Sequence, residues 1–123
     1  MDKKILDKYT PMTETAAYIL LAIAQLPKHG YSIVQYVKTI TSNEICLGNG
    51  TLYGSLKKME NDGLIKVEFC DDKKKTYGIT ELGSVILSQE GCRIQKLSQL
   101  FEKELNSQHS KIKERKTKPF VEQ

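Results

Sequence analysis

The 123-residue sequence predicts a mainly α fold with one small β-hairpin and a long final helix. Three observations carry that reading. Apolar residues recur at helical spacing in successive segments between Thr13 and Gly63. The period then drops to two over Ile65, Val67 and Phe69, and helical spacing returns after Thr80. A chain of this length forms one small domain with at most an appended arm, and it often gains stability by associating.

Residues 1–12 read as an N-terminal arm, helical around Lys4 to Tyr9 and ending before Pro11. Thr13 or Thr15 caps the next helix, since a hydroxyl can accept from the free first-turn amides. That helix continues to about Leu26. Its run "AAYILLAIA" is apolar nearly all round, as a central core helix requires. Pro27 and Gly30 in "PKHG" end it. A second helix spans about Tyr31 to Thr41, with Ile33, Val34, Val37 and Ile40 on its apolar stripe. After "TSNE", a third helix begins at Gly48 or Asn49. It ends at Gly63, a left-handed cap with Leu64 packing just beyond it.

The hairpin follows. Ile65, Val67 and Phe69 alternate with Lys66 and Glu68, which predicts a strand with one buried face. "CDDKKK" is a charged turn, and "TYGI" returns with Tyr77 and Ile79 on one face. Thr80 and Glu81 open a last helix over residues 80–106. Leu87, Ile94, Leu97 and Phe101 take the spacing of a coiled-coil-like seam along it. Residues 107–123 are polar and basic, contain Pro119, and read as a disordered tail.

Several function classes drop out. Hydrophobic content of 39% with 28% charged residues suits a soluble globular protein. Mixed charge precedes the first apolar run at Ala16, unlike a signal peptide. That run is also far short of the roughly 20 apolar residues that span a bilayer. The expectation is a cytoplasmic protein with no membrane partner. Cys46, Cys70 and Cys92 are far apart and odd in number, with no CxxC pair. They read as small buried or half-buried hydrophobes in a reducing compartment, so no disulfide framework or metal site is expected. His29 and His109 stand in no nucleophile motif, and the acids are scattered among lysines. Gly48, Gly50 and Gly54 match neither phosphate-binding glycine pattern. The sequence therefore names no catalytic residue, no metal ligand and no cofactor, and it does not read as an enzyme.

"LGNGTLYGSLKKMENDGLI", residues 47–65, carries the positive signal. On a helical wheel Leu52, Leu56 and Met59 share one direction, while Gly50, Gly54 and Asn61 point almost opposite. Each interior glycine costs a helix roughly 1 kcal/mol relative to alanine. Two of them on the outer face leave the backbone free to approach a groove closely. Such a helix, about 20 Å long, fits a major groove some 12 Å wide. With the preceding helix it forms a helix-turn-helix, and the hairpin supplies a wing, which makes residues 13–79 a winged helix-turn-helix. The expected partner is double-stranded DNA.

Roles follow from position. Asn49, Thr51 and Ser55 can bond phosphates or base edges near the helix's amino end, where free amides also favour phosphate. Gly54 lies on the close-approach face. Lys57 and Lys58 suit phosphates better than bases, because lysine acts as a flexible point charge. Tyr53 either contacts the DNA backbone or packs on the wing. Tyr31 either bonds a phosphate or packs. Lys73, Lys74 and Lys75 at the wing tip meet phosphates, releasing counterions. The net charge of +4 permits an acidic partner without demanding one. Residues 28–75 hold eight lysines against six acids, and residues 107–123 hold five basic residues against two.

"HGYSIVQYV" (29–37), the GTLY-containing stretch above, and "KKKTYGITELG" (73–83) resemble the PadR family of bacterial transcriptional regulators. The resemblance covers about residues 13–105 and is to the family's short type. It implies a homodimer formed through the last helix and a repressor bound to a pseudo-palindromic operator. In some members a small phenolic or drug-like molecule releases the DNA, so a small aromatic effector is a further implied partner. The sequence departs from the family at Asn49, where many members have proline or another small residue. It departs again in a wing built on "DDKKK" and in the absence of tryptophan. Ile94 and Phe101 either line an apolar pocket in the dimer or serve ordinary dimer packing, and without a tryptophan to stack a ligand the packing reading is the better one. The competing reading is a winged helix used as a protein-interaction module with no operator of its own. The outer face of the third helix lacks the large apolar anchor that such an interface usually has.

Overall fold

The computed structural model describes residues 3–117, with side chains up to residue 112. Its elements follow in the expected order: α1 (Lys3–Lys8), α2 (Glu14–Gln25), α3 (Gly30–Ile40), α4 (Asn49–Asn61), β1 (Ile65–Asp71), β2 (Lys74–Ile79) and α5 (Glu81–Thr117). No helix among the described residues is long and apolar enough to cross a membrane.

The helix ends obey local chemistry. Thr13 caps α2, its hydroxyl accepting from the Ala16 amide at 3.1 Å. His29 caps α3 through Nδ1, which accepts from the Ser32 amide at 3.3 Å. At the end of α4, Gly63 has φ +83°, and the Leu64 amide donates to the Met59 carbonyl at 2.9 Å. The Gly63 amide donates to the Glu60 carbonyl at 3.1 Å, which completes a Schellman motif. Thr80 then couples α5 to that cap. Its hydroxyl lies 2.6 Å from the Gly63 carbonyl and accepts from the Gly83 amide at 3.0 Å.

The core gathers Ile19, Leu20 and Ile23 of α2, Ile33 and Val37 of α3, and Leu52, Leu56 and Met59 of α4. Leu64, Ile65, Tyr77 and Ile86 close it from the hairpin side. Ile40 sits at the last residue of α3, past the reach of this core, and is exposed rather than on a buried stripe. Lys28 pairs with Tyr77 as an isolated bridge, adding a short third edge to the hairpin. Its ammonium is buried: it donates to the Ala22 carbonyl at 2.8 Å and lies 4.6 Å from the centre of the Tyr36 ring. It thereby supplies a cation to the last turn of α2.

Further features differ from the sequence reading. In β1 a bulge at Glu68 shifts the register, from Val67 opposite Tyr77 to Phe69 opposite Thr76. One extra residue breaks the period of two, so Phe69 is 61% exposed instead of buried with Ile65. α5 continues through residues 107–117, where a tail was expected. That segment is polar but contains no glycine or proline before residue 118, and helix formers such as Lys and Glu sustain it. Pro119 and the rest of residues 118–123 lie outside the described residues. The chain divides into two compact units within α5, the first ending at Glu90 and the second beginning at Gly91. Ile86 and Glu90 of α5 are buried within the first unit.

The arm is likewise folded onto the first unit. Tyr9 and Met12 are buried, and the Met12 amide donates to Glu90 Oε2 at 2.9 Å. The cysteines Cys46, Cys70 and Cys92 are exposed, not buried as small hydrophobes.

Candidate nucleic-acid interface

The interface is built on α4. Leu52, Leu56 and Met59 are each 1% exposed, and the opposite face carries Gly50 and Gly54. A Cβ added at either glycine would meet nothing within 4 Å. No intramolecular packing therefore requires these glycines. Asn49, Thr51, Lys57 and Lys58 are exposed, and Ser55 is half-buried.

One flank of α4 meets the wing. Tyr31, Tyr53, Lys73, Lys74 and Lys75, all named from the sequence, line one cleft of about 340 Å³. Three residues that the sequence reading did not assign to the site complete it: His29, Gly30 and Tyr77. Tyr31 is 69% and Tyr53 54% exposed, and the Tyr31 ring stacks against His29 with centroids 6.4 Å apart. Tyr53 leans on the first turn of α3, so close that a Cβ at Gly30 would lie 2.5 Å from its hydroxyl. Tyr77 forms the buried floor. Burial, and then the charge of Glu60, push its phenol up. Lys73 stands in a two-residue turn in which it and Asp72 both have positive φ, 71° and 47°, and Lys74 and Lys75 open β2 beside it. This is the backbone that a tight hairpin demands.

The other flank of α4 meets the arm. Ser55 and Lys58 share a recess of about 100 Å³ with Lys8, Tyr9 and Thr13. Asp62, just past α4, anchors it: its Oδ2 accepts from the Tyr9 hydroxyl at 2.6 Å and pairs with Lys8 Nζ at 2.8 Å. Burial pushes the Asp62 carboxyl up. The hydrogen bonds from Lys8 and Tyr9, with the charges of Lys8 and Lys58, outweigh that and hold it below its usual value. Sequence reasoning missed this flank, since the residues it joins stand 53 positions apart. Asn49, Thr51 and Lys57 line neither recess.

On α5, Ile94, Leu97 and Phe101 are exposed, at 47%, 43% and 58%, and Leu100 and Leu105 add to their apolar surface. Leu87 differs from these three, being half-buried against the chain's own core.

A helix pair, a hairpin wing and a long final helix define a winged helix-turn-helix of the kind found in transcription regulators. The model of the transcriptional regulator PadR-like family matches residues 19–89, and the chain belongs to that family. It is 30% identical over 90 residues to an uncharacterised protein of Lysinibacillus sphaericus, covering 68% of this chain and 83% of that one. Two solved structures share the fold. A transcriptional regulator from Clostridium thermocellum has a TM-score of 0.65 at 20% identity, covering 84% of this chain and 96% of its own. A PadR family transcription regulator from Clostridium difficile has a TM-score of 0.65 at 22% identity, covering 76% and 99%. The protein is thus a PadR-family transcriptional regulator, a membership that implies DNA binding and no enzymatic activity.

Proposed function

We propose that the chain acts as a cytoplasmic homodimeric repressor, reading a pseudo-palindromic operator with α4 and holding its backbone with the wing. The observation that carries this is the bare strip of Gly50 and Gly54, open to 4 Å and bordered by the tyrosine and lysine cleft. Asn49, Thr51, Ser55 and Gly54 serve close approach and hydrogen bonding. Lys57, Lys58, Lys73, Lys74 and Lys75 neutralise phosphates, while Tyr31 and Tyr53 add hydroxyl contacts at the cleft mouth.

The dimer forms through the exposed side chains Ile94, Leu97 and Phe101, with Leu87 at its edge. A single helix cannot bury such a stripe alone, and a second copy matches it by symmetry. Two α4 helices are then presented to successive half-sites. A small aromatic effector would act by changing the spacing of those two helices.

Gel shift on the DNA upstream of the chain's own gene tests the reading. Selective retention of that duplex over mixed-sequence DNA is expected. Retention without selectivity favours a winged helix that serves protein partners instead.

A further inference from the structure

We propose that the N-terminal arm is a second backbone grip, holding the DNA strand on the flank of α4 opposite the wing. This rests on the DNA-binding reading of α4 given above. A recognition helix in the major groove lies between two phosphate backbones, so each flank of it faces one strand. Tyr53 puts the wing cleft on one flank, and Ser55 with Lys58 puts the arm recess on the other.

The arm's construction points the same way. α1 has only six residues and fully buries none of them, and it adds only half-buried Ile5 and Leu6 to the edge of the core. A helix so short is not stable alone. It is held by the residues after it: Tyr9 through Asp62, and Met12 through Glu90. What this anchoring positions is charge. Lys8 and Lys58 at the recess outnumber Asp62, and α1 adds exposed Lys3 and Lys4 against one acid, Asp7. Thr13 and Ser55 supply hydroxyls at the same recess. A phosphate there meets cations from the arm and from α4 together.

The test compares Lys3→Gln/Lys4→Gln with the wild type and with a triple wing variant, Lys73→Gln/Lys74→Gln/Lys75→Gln. The arm pair leaves the Tyr9 and Lys8 contacts of Asp62 in place, and melting temperatures read beside the wild type check that the fold is kept. Affinity is titrated against salt on the upstream duplex and on a mixed-sequence duplex, with phosphate ethylation interference read on both strands. The arm variant should weaken binding to both duplexes and lower the salt slope by about one per lost contact. Within each half-site it should also erase interference on one strand, while the wing variant erases it on the other. An arm variant with wild-type slope and interference, beside a wing variant that loses both, overturns the grip and leaves the DNA reading standing. A wild type that binds neither duplex overturns both.

Discussion

Gly30 and Tyr53 are in contact across two helices: a Cβ on Gly30 would lie 2.5 Å from the Tyr53 hydroxyl and 3.0 Å from the ring carbon that bears it. The glycine is what lets Tyr53 lean on α3 and stay at the cleft. Tyr53 is the outer end of an exposed side chain and can swing away cheaply. Gly30 is buried, but the atoms its new methyl meets can move, so Gly30→Ala should change stability by no more than about 1 kcal/mol. It should nevertheless lower DNA affinity, because Tyr53 leaves its place. Thermal melting beside gel shift separates the two effects.

The wing turn carries a similar division. Lys73 is held at φ 71°, a left-handed conformation that costs a non-glycine residue roughly 1–2 kcal/mol. Lys73→Gly relieves that cost and removes one charge. The variant should melt at a higher temperature, bind DNA more weakly and show a salt slope smaller by about one. A rise in affinity would mean that the hairpin's rigidity, not its charge, limits binding.

Asp62 makes the arm's attachment pH-dependent. Its carboxyl is held below the ordinary value of 3.8 despite burial, through Lys8, Tyr9 and Lys58. A depressed carboxyl contributes stability that is fully present above the unfolded-state pKa and is lost as pH falls through the folded one. The melting difference between wild type and Asp62→Asn should be constant near neutrality and shrink in acid, below pH 3.8. Melting curves across that range provide the check. A difference that grows in acid would contradict the ion pair's role.

Ile94, Leu97 and Phe101 give the dimer its test. Replacing Leu97 and Phe101 by glutamate puts like charges into the shared seam. Light scattering should show the wild type at twice the mass of the chain and the variant at one. A monomeric wild type would remove the dimer.

Much of this was legible from local chemistry. The Schellman cap at Gly63 and the Thr13 cap depend on residues within one turn of each other, and the sequence displays them side by side. The glycine face of α4 follows from spacing alone, and the structure adds that its surroundings are empty. Other features depend on distant partners. The bulge at Glu68 answers to the pairing of Val67 with Tyr77, and nothing in the local alternation announces it. The arm's attachment joins Tyr9 to Asp62, and the cleft joins Gly30 to Tyr53 and the wing. Such pairings are set by tertiary packing, which a pattern of period 3.6 or 2 does not encode. The length of α5 escapes the pattern for another reason: a polar sequence without helix breakers can stay helical with no apolar face to show for it.

The bare strip of α4 is tested most directly by Gly54. Because a Cβ there meets nothing within 4 Å, Gly54→Ala should stabilise the free protein by up to about 1 kcal/mol through helix propensity. Gly54→Leu should also fold, yet its bulk would stand between backbone and groove. The decisive measurement is the affinity of folded Gly54→Leu for the upstream duplex, set beside its melting temperature. A well-folded variant with operator affinity reduced by tenfold or more, about 1.4 kcal/mol, is the predicted result. Undiminished affinity in a folded variant would contradict close approach and leave the glycine merely tolerated.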